Sequence, residues 1–515
     1  MPLKDFTRSL VVCASFWLGL ATSGAAETIV VSADGDLQQA LDRARPGDTL
    51  ILEPGATYTG NFVLPAKPGN RHITIRTGRE GEVLPRAGQR VLPIHSGRLA
   101  KLKSVTSEPA LRTAPGAHHW RLQLLEFPAT RNGAGDIIRL GDGSTAQHDL
   151  STVPHAIVVD RCYIHGDPVL GQKRGIALNS ASTSIVNSYI SDIKAVGQDT
   201  QAIAGWNGPG PYTIENNYLE AAGENFLLGG SDPAIQGLVP QDIVFRRNHL
   251  AKPLAWRTER WQVKNLFELK NARRVLVEGN IMEYAWRQAQ VGYAILLTPR
   301  NQDGKSPWAA VEDVTIRRNL VRHAGGGLTI TGEDTNFPSG STRRVQIVDN
   351  LFYDIDADRW GGSGAFALIG NGPSDITIEH NTVSHSGNIV QAFGGTRQAP
   401  TPVTGFVFRD NLIRHNAYGV IGADRGIGAS TLDAFFPDAI FFSNTIAGGD
   451  ARSYPKGNTF IPEEEFHRSF VDEARGDYRL RPGSAARGAG SDGKDAGADV
   501  PALVQALGAR MPRGR

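Results

Sequence analysis

A short pattern recurs along this chain and restricts its fold more than any other feature. It reads apolar-x-apolar, one or two polar residues, Asn, then a second apolar alternation. It appears as "SIVNSYIS", "YTIENNYLE", "IVFRRNHLA", "VLVEGNIME", "VTIRRNLVR", "VQIVDNLFY", "ITIEHNTVS", "FVFRDNLIR" and "IFFSNTI". The Asn residues are 187, 217, 248, 280, 319, 350, 381, 411 and 444, mostly 30–33 apart with one interval of 39. A third alternating run follows each pair, as in "GIALNS", "NFLLGG", "LFELKN", "AILLTP" and "GLTITG". Three short strands per repeat of about 30 residues suit a parallel β-helix. Apolar side chains then fill the coil and the alternate ones face out. Asn suits the corner because it tolerates left-handed geometry and bonds nearby backbone. Roughly a dozen coils at about 4.8 Å each predict a rod about 55–60 Å long.

The ends of the repeat need covering, because an open coil end is a pairing site. The N-terminal segment predicts a short helix opened by Asp36, with Leu37, Ala40 and Leu41 on one face as a lid. Residues 451–515 lose the repeat and are expected to fold back as the other, irregular cap, ending in a helix over "PALVQALGA". Upstream, Lys4 and Arg8 precede the apolar run "SLVVCASFWLGLA" and the small residues of "TSGAAE". That order predicts a signal peptide over residues 1–26 and a secreted or periplasmic protein. The run is shorter than the roughly 20 apolar residues of a membrane span, so no membrane insertion is expected.

Composition excludes several classes. Lys plus Arg number 54 against 52 for Asp plus Glu, so no global basic field attracts nucleic acid. Past the signal, Cys162 is the one remaining cysteine, which excludes an intramolecular disulfide or a Cys-rich metal site. In "VVDRCYIHG" it reads as a buried small residue. His165 and His323 read as hydrogen-bonding corner residues.

The opening "DLQQALDRARPGDTLILEPGATYTGNF" and the Asn-ended coils resemble secreted proteins of the pectate-lyase-like right-handed β-helix superfamily. The resemblance covers about residues 27–450. It implies an all-β chain folded as a single-stranded right-handed parallel β-helix, for which the repeat predicts about 12 coils, and a monomer is expected. Fold alone leaves function open, because that architecture hosts many chemistries.

Long insertions mark where a site could form. Between about 220 and 345 the chain inserts "AKPLAWRTERWQVKN", "EYAWRQAQVG", "PRNQDGKSPWAAVE" and "GEDTNFPSGSTR". They carry Trp256, Trp261, Trp286 and Trp308 beside Arg257 and Gln302. Aromatic, cationic and amide groups together suit a sugar acid, although the same Trp residues could simply pack loops onto the barrel. Stacking the third strands on the Asn register sends Phe226, Leu228, Phe267, Leu269, Ile295, Leu297, Leu328 and Ile330 inward. The outward rows become Leu227–Glu268–Leu296–Thr329, Gly229–Lys270–Thr298–Thr331 and Ser231–Ala272–Arg300–Glu333. Lys270 and Arg300 then lie on adjacent coils.

A Lys beside an Arg on rigid strands could abstract the C5 proton of a uronate and expel its C4 oxygen. Glu268, with Glu224 one coil earlier, could hold Ca²⁺ that grips the sugar carboxylate. The arrangement is similar to polysaccharide lyase family 6, where a Lys at a strand end acts as base and an Arg on the next coil as acid. Lys270 in "FELKNARRVLVEGN" and Arg300 in "AILLTPRN" are the matching residues. The chain departs from that family in lacking its two-Glu calcium motif with a Lys-Ser pair, and its Lys-to-Arg spacing of 30 is longer. The expected partner is an acidic polysaccharide and the expected activity a lyase. The alternatives are a non-catalytic glycan-binding β-helix and an inverting hydrolase using Glu333 and Asp334.

Overall fold

The computed structural model describes residues 25–78 and 84–508. The signal segment assigned to residues 1–26 lies almost wholly outside them. No described helix is long and apolar enough to cross a membrane. The chain winds as a right-handed parallel β-helix with three faces. Sheet A has 14 strands from Thr28–Val31 to Ile440–Phe442, and sheet B 14 from Thr57–Thr59 to Thr459–Ile461. Sheet C has 12, from Phe62–Leu64 to Val420–Gly422. Every neighbouring pair in them is parallel, as one winding direction requires. The alternation read from the sequence places the core. Ile185, Ile214, Phe245, Val277, Ile316, Ile347, Ile378, Phe408 and Phe441 form one register column, all buried.

The Asn repeat forms an internal ladder at the A-to-B corner. The backbone N–H and Nδ2 of Asn280 both donate to Asn319 Oδ1, at 2.9 and 2.8 Å, and Nδ2 also reaches Phe245 O. The same bonds link Asn217, Asn248, Asn280, Asn319, Asn350, Asn381, Asn411 and Asn444, and continue to Asn458. Two details differ from the sequence reading. The left-handed residue is the one before each ladder Asn: Asn216, Arg247, Gly279, Arg318, Asp349, His380, Asp410 and Ser443 all have φ between 51 and 64°. Asn187 also belongs to that outer column, with φ 55°. Ser188 takes the ladder position, accepting from Cys162 N and donating its own N–H to Asn217. The left-handed residue turns the chain so that the next amide points inward, where the ladder pairs it.

Cys162 stands one coil earlier in this column, wholly buried, its thiol over Leu122 O and Asp160 O. Burial pushes the thiol up to about 12, so it is a packing group.

The helix Leu37–Arg43 closes the first coil. Asp36 accepts from Gln39 N, and Leu37, Ala40 and Leu41 enter the core, as the sequence predicts. At the other end Leu432, Phe435 and Phe436, from and just after the helix Ala429–Phe435, fill the interior. The tail beyond Ile461 therefore takes another place than the expected end cap. It runs back along the outside of the rod, burying Phe466, Phe470, Tyr478, Val500 and Leu503 against Leu320, Leu351, Tyr353 and Leu412. Its last helix, Val500–Ala506, ends on Gly279, where a Cβ would lie 2.4 Å from Ala506 O.

The ladder predicts unequal costs for two similar substitutions. Asn319→Ala removes the acceptor of the buried Asn280 N–H and should destabilise by about 2 kcal/mol or more. Asn187→Gly keeps the left-handed turn and should cost less than about 1 kcal/mol. Urea unfolding of both variants measures the difference, and equal losses would contradict the ladder's role.

Candidate functional site

Sheet C carries the predicted rows. Phe226 pairs with Phe267, Ile295 and Leu328 in turn, and Leu227 with Glu268, Leu296 and Thr329. Lys270 follows the strand Phe267–Leu269, and its N–H donates to Leu228 O at 2.7 Å, which sets it beside Gly229. Gly229 is needed there, since a Cβ on it would lie 2.9 Å from Lys270 Cβ. Thr298 N donates to Leu269 O and so flanks Lys270.

The third row fails. Ala272 pairs with Val311, and Arg300 N–H donates to Lys270 O at 3.0 Å, placing Arg300 beside Asn271. The strand Tyr293–Leu297 has ended by then, and the loop 301–309 lets the backbone draw in one residue closer to Lys270. The spacing of 30 is thus the coil step from Lys270 to Thr298 plus two residues, and the 301–309 insertion that widens the Asn280–Asn319 interval follows Arg300, with the ladder step intact across it.

Each cation has a buried carboxylate. Lys270 Nζ lies 3.3 Å from Glu268 Oε1, and Arg300 Nη1 donates to Asp334 Oδ1 at 2.9 Å. The Lys270 side chain is 17% exposed and that of Arg300 32%, so both reach solvent while their carboxylates do not. Asp334 also accepts from Asn301 N and Asn336 N. As a partner of Arg300 it is not free to work as a hydrolase acid, and its neighbour Glu333 is exposed. The loop bearing Gln302 and Trp308 is pinned by Asp232, whose carboxylate accepts from Gln302 N, Asp303 N, Lys305 N and Ser306 Oγ. Gln302 is exposed beside the site, while Trp308 is half-buried and donates Nε1–H to Leu238 O.

Glu224 and Glu268 approach one another where sheet C begins. Gln201 Nε2 donates to Glu224 Oε2, and Lys264 Nζ lies 3.3 Å from Oε1. Lys264 is also paired with Asp199. Burial, then the nearby Glu268 and Asp199 carboxylates, hold the Glu224 carboxyl above its ordinary range against the pull of Lys264. Beside Glu268 stands Asn265, fully buried. Its Nδ2 donates to Glu268 Oε2 at 2.9 Å, and its Oδ1 has no hydrogen-bond partner. Two carboxylates and an orphaned amide oxygen make a donor set that fits a hard cation such as Ca²⁺.

The Trp residues overturn one expectation. Trp256, Trp261 and Trp286 are only 4, 5 and 5% exposed and form a cluster with Trp360, Ala222 and Val263. Their faces are already taken: Lys194 Nζ lies 5.2 Å from the Trp256 ring and 5.0 Å from the Trp261 ring. Arg257 is exposed but stacks on Trp360 at 5.1 Å and donates to Arg359 O. A pyranose cannot stack on rings sealed in this way, so these residues bind the 252–264 loop to the rod. They stand at the B-to-C corner, across sheet C from Lys270.

Sequence reasoning missed Lys264, Asn265, Asp232 and the partnership of Asp334 with Arg300. Asn265 and Lys264 adjoin the third-strand run "LFELKN", so the row pattern could have shown them. Asp232 and Asp334 act through loop closure and leave no periodic mark. His165 and His323 are hydrogen-bonded corner groups as read, on Glu126 and Asp354.

Burial of the Trp cluster sets a clear expectation. Trp256→Ala should lower unfolding stability by about 3–5 kcal/mol, the usual cost of emptying a buried aromatic site. A variant of unchanged stability and weakened glycan binding would restore the surface role.

No protein-family model matches the chain, and no curated protein matches it. Among solved structures it is similar to the polysaccharide lyase family 6 alginate lyase AlyGC, with TM-score 0.53 and 13% identity over 84% of this chain and 53% of that one. It is also similar to a mannuronic acid specific family 6 lyase from human gut microbiota, with TM-score 0.53 and 13% identity over 85% and 92% of the two chains. The chain thus spans about half the length of the first and most of the second. At this identity the likeness is one of fold, and the fold is the right-handed parallel β-helix.

Proposed function

We propose that this protein is an exported, monomeric, carbohydrate-active β-helix that cleaves a uronate-containing polysaccharide by β-elimination. One observation carries the reading: Lys270 and Arg300 occupy consecutive coils, joined by the Arg300 N–H to Lys270 C=O bond, with both head groups reaching solvent. Lys270 Nζ takes the C5 proton of the uronate. The C5–H electrons form the C4=C5 double bond as the C4–O bond breaks. The departing oxygen receives a proton on the Arg300 side, so the chain is cut without water. Glu268 orients the Lys270 head group, and Asp334 fixes Arg300. Rigid placement of both cations is what lowers the barrier, since it is set before substrate arrives.

Glu224, Asn265 Oδ1 and Glu268 would hold Ca²⁺, which when bound supplies positive charge to the substrate carboxylate and renders the C5 proton more acidic. Its presence would relieve the repulsion between the two carboxylates and satisfy the orphaned Asn265 oxygen.

A second reading has its own support. Both cations already have carboxylate partners, an arrangement that also suits a β-helix which grips an acidic glycan without cutting it. Incubation with alginate, pectate, chondroitin and heparin separates the two. A lyase generates the ultraviolet absorbance of an unsaturated uronate, whereas a binder only retards the glycan in an affinity gel. On a cleaved glycan, Lys270→Ala should lower the rate by about 10²–10⁴-fold with the fold intact, because its side chain adds little packing. Arg300→Ala should cost a comparable factor. Wild-type turnover by Lys270→Ala would end the lyase assignment.

The cation is tested apart from turnover. Calcium should raise the melting temperature of the chelator-treated protein, and Glu224→Gln with Asn265→Ala should abolish that rise. An unchanged melting temperature in wild type would leave Lys264 as the group that balances Glu224.

A further inference from the structure

Four of the chain's thirteen histidines gather far from Lys270, at the C-to-A corner of the early coils. His118 begins the strand His118–Gln123 and His155 begins His155–Asp160, and the two are register partners. Their rings stack at 4.7 Å and 24°. His119 adopts φ 56°, in the left-handed region. Successive strand residues ordinarily face opposite ways, and this bend brings His119 round to the same side as His118. The His119 ring stands nearly perpendicular to both others, at 4.9 Å from His118 and 6.0 Å from His155.

We infer that His118, His119 and His155 form a site for a divalent first-row transition metal of the zinc type. One nitrogen from each ring falls within 4.8 Å of the others. His118 Nδ1 and His119 Nδ1 are 2.8 Å apart. Two imidazole nitrogens on one tetrahedral zinc, at about 2.0–2.1 Å each, stand about 3.3 Å apart, so small ring rotations open this pair to chelation. His155 Nδ1 faces Val153 O at 3.4 Å, which leaves Nε2 for the metal, the usual arrangement of a ligating imidazole. All three rings are half-buried, so an ion has a path in and a fourth position stays open to water.

The donor set is nitrogen alone. Three imidazoles suit zinc, copper, nickel or cobalt and do not suit calcium or magnesium, which take oxygen. His72 flanks the group, its ring 5.3 Å from His119 and its Nε2 on Ala156 O at 3.1 Å. In sheet A the His155 strand is four strands from Ala272–Glu278, the strand after Lys270. At about 4.8 Å per strand the two sites are about 19 Å apart along the rod. The metal therefore takes no part in the Lys270 chemistry. It clasps one coil to the next, because His118 and His119 precede one turn of the helix and His155 begins the following one.

The test uses untagged, chelator-treated full-length protein and Co²⁺ and Zn²⁺ as probes. One equivalent of Co²⁺ should develop visible bands of a low-symmetry nitrogen site, and one equivalent of Zn²⁺ should bleach them and raise the melting temperature. Calcium in excess should do neither. His119→Gln and His155→Gln should each abolish the one-equivalent spectrum, while His148→Gln, at an exposed loop histidine, should leave it unchanged. Absence of the cobalt bands in wild type, or their persistence in the His119→Gln, His155→Gln double variant, would overturn the site.

Discussion

A parallel coil holds only if each turn finds the same register on the one before, and the Asn ladder enforces that match. Every ladder Asn satisfies a buried N–H and a buried carbonyl of the coil before it, so a slip of one residue would leave several polar groups unpaired in an apolar interior. The left-handed residue before each Asn costs about 1–2 kcal/mol in isolation. It is tolerated because the turn it makes delivers the next amide to the ladder. Where the ladder gives way to Ser188 and Cys162, the same backbone course is kept by a hydroxyl and a thiol in the same positions.

With register set at one corner, the others are free to vary. Insertions accumulate at the B-to-C and C-to-A corners, and they do two different jobs. The 252–264 loop is glued down by a sealed aromatic cluster with Lys194 among its rings. The 301–309 loop is held by carboxylate grips, Asp232 on its backbone and Asp334 on Arg300 and Asn301. The second kind leaves the Lys270 and Arg300 head groups reaching solvent side by side. The proposed chemistry therefore sits on the C-to-A side of sheet C, with the Glu224–Asn265–Glu268 group at the other end of the same short strands.

Charge is managed locally along this rod, consistent with its near-neutral composition. Outward corner residues alternate in sign, as in Asp242 with Arg274 and Asp313 with Arg344, so consecutive coils attract one another at the surface. The His118–His119–His155 group stands at the head of this same corner, before the alternation begins.

The sequence by itself determined the winding. Apolar alternation at a repeat near thirty residues admits few alternatives, and it placed Phe267 and Leu269 inward and Glu268 outward correctly, because strand parity is a local property. It also brought Lys270 and Arg300 to consecutive coils. Tertiary structure decided what lies outside the repeat. The Trp residues read as glycan contacts became core, since burial depends on which loop folds over which. Arg300 moved one residue along its row, and Asp334 went to its service, because an irregular loop carries no period from which to count. The tail chose the flank of the rod over its end for the same reason: its apolar residues are scattered, and only the surface they meet gives them a common face.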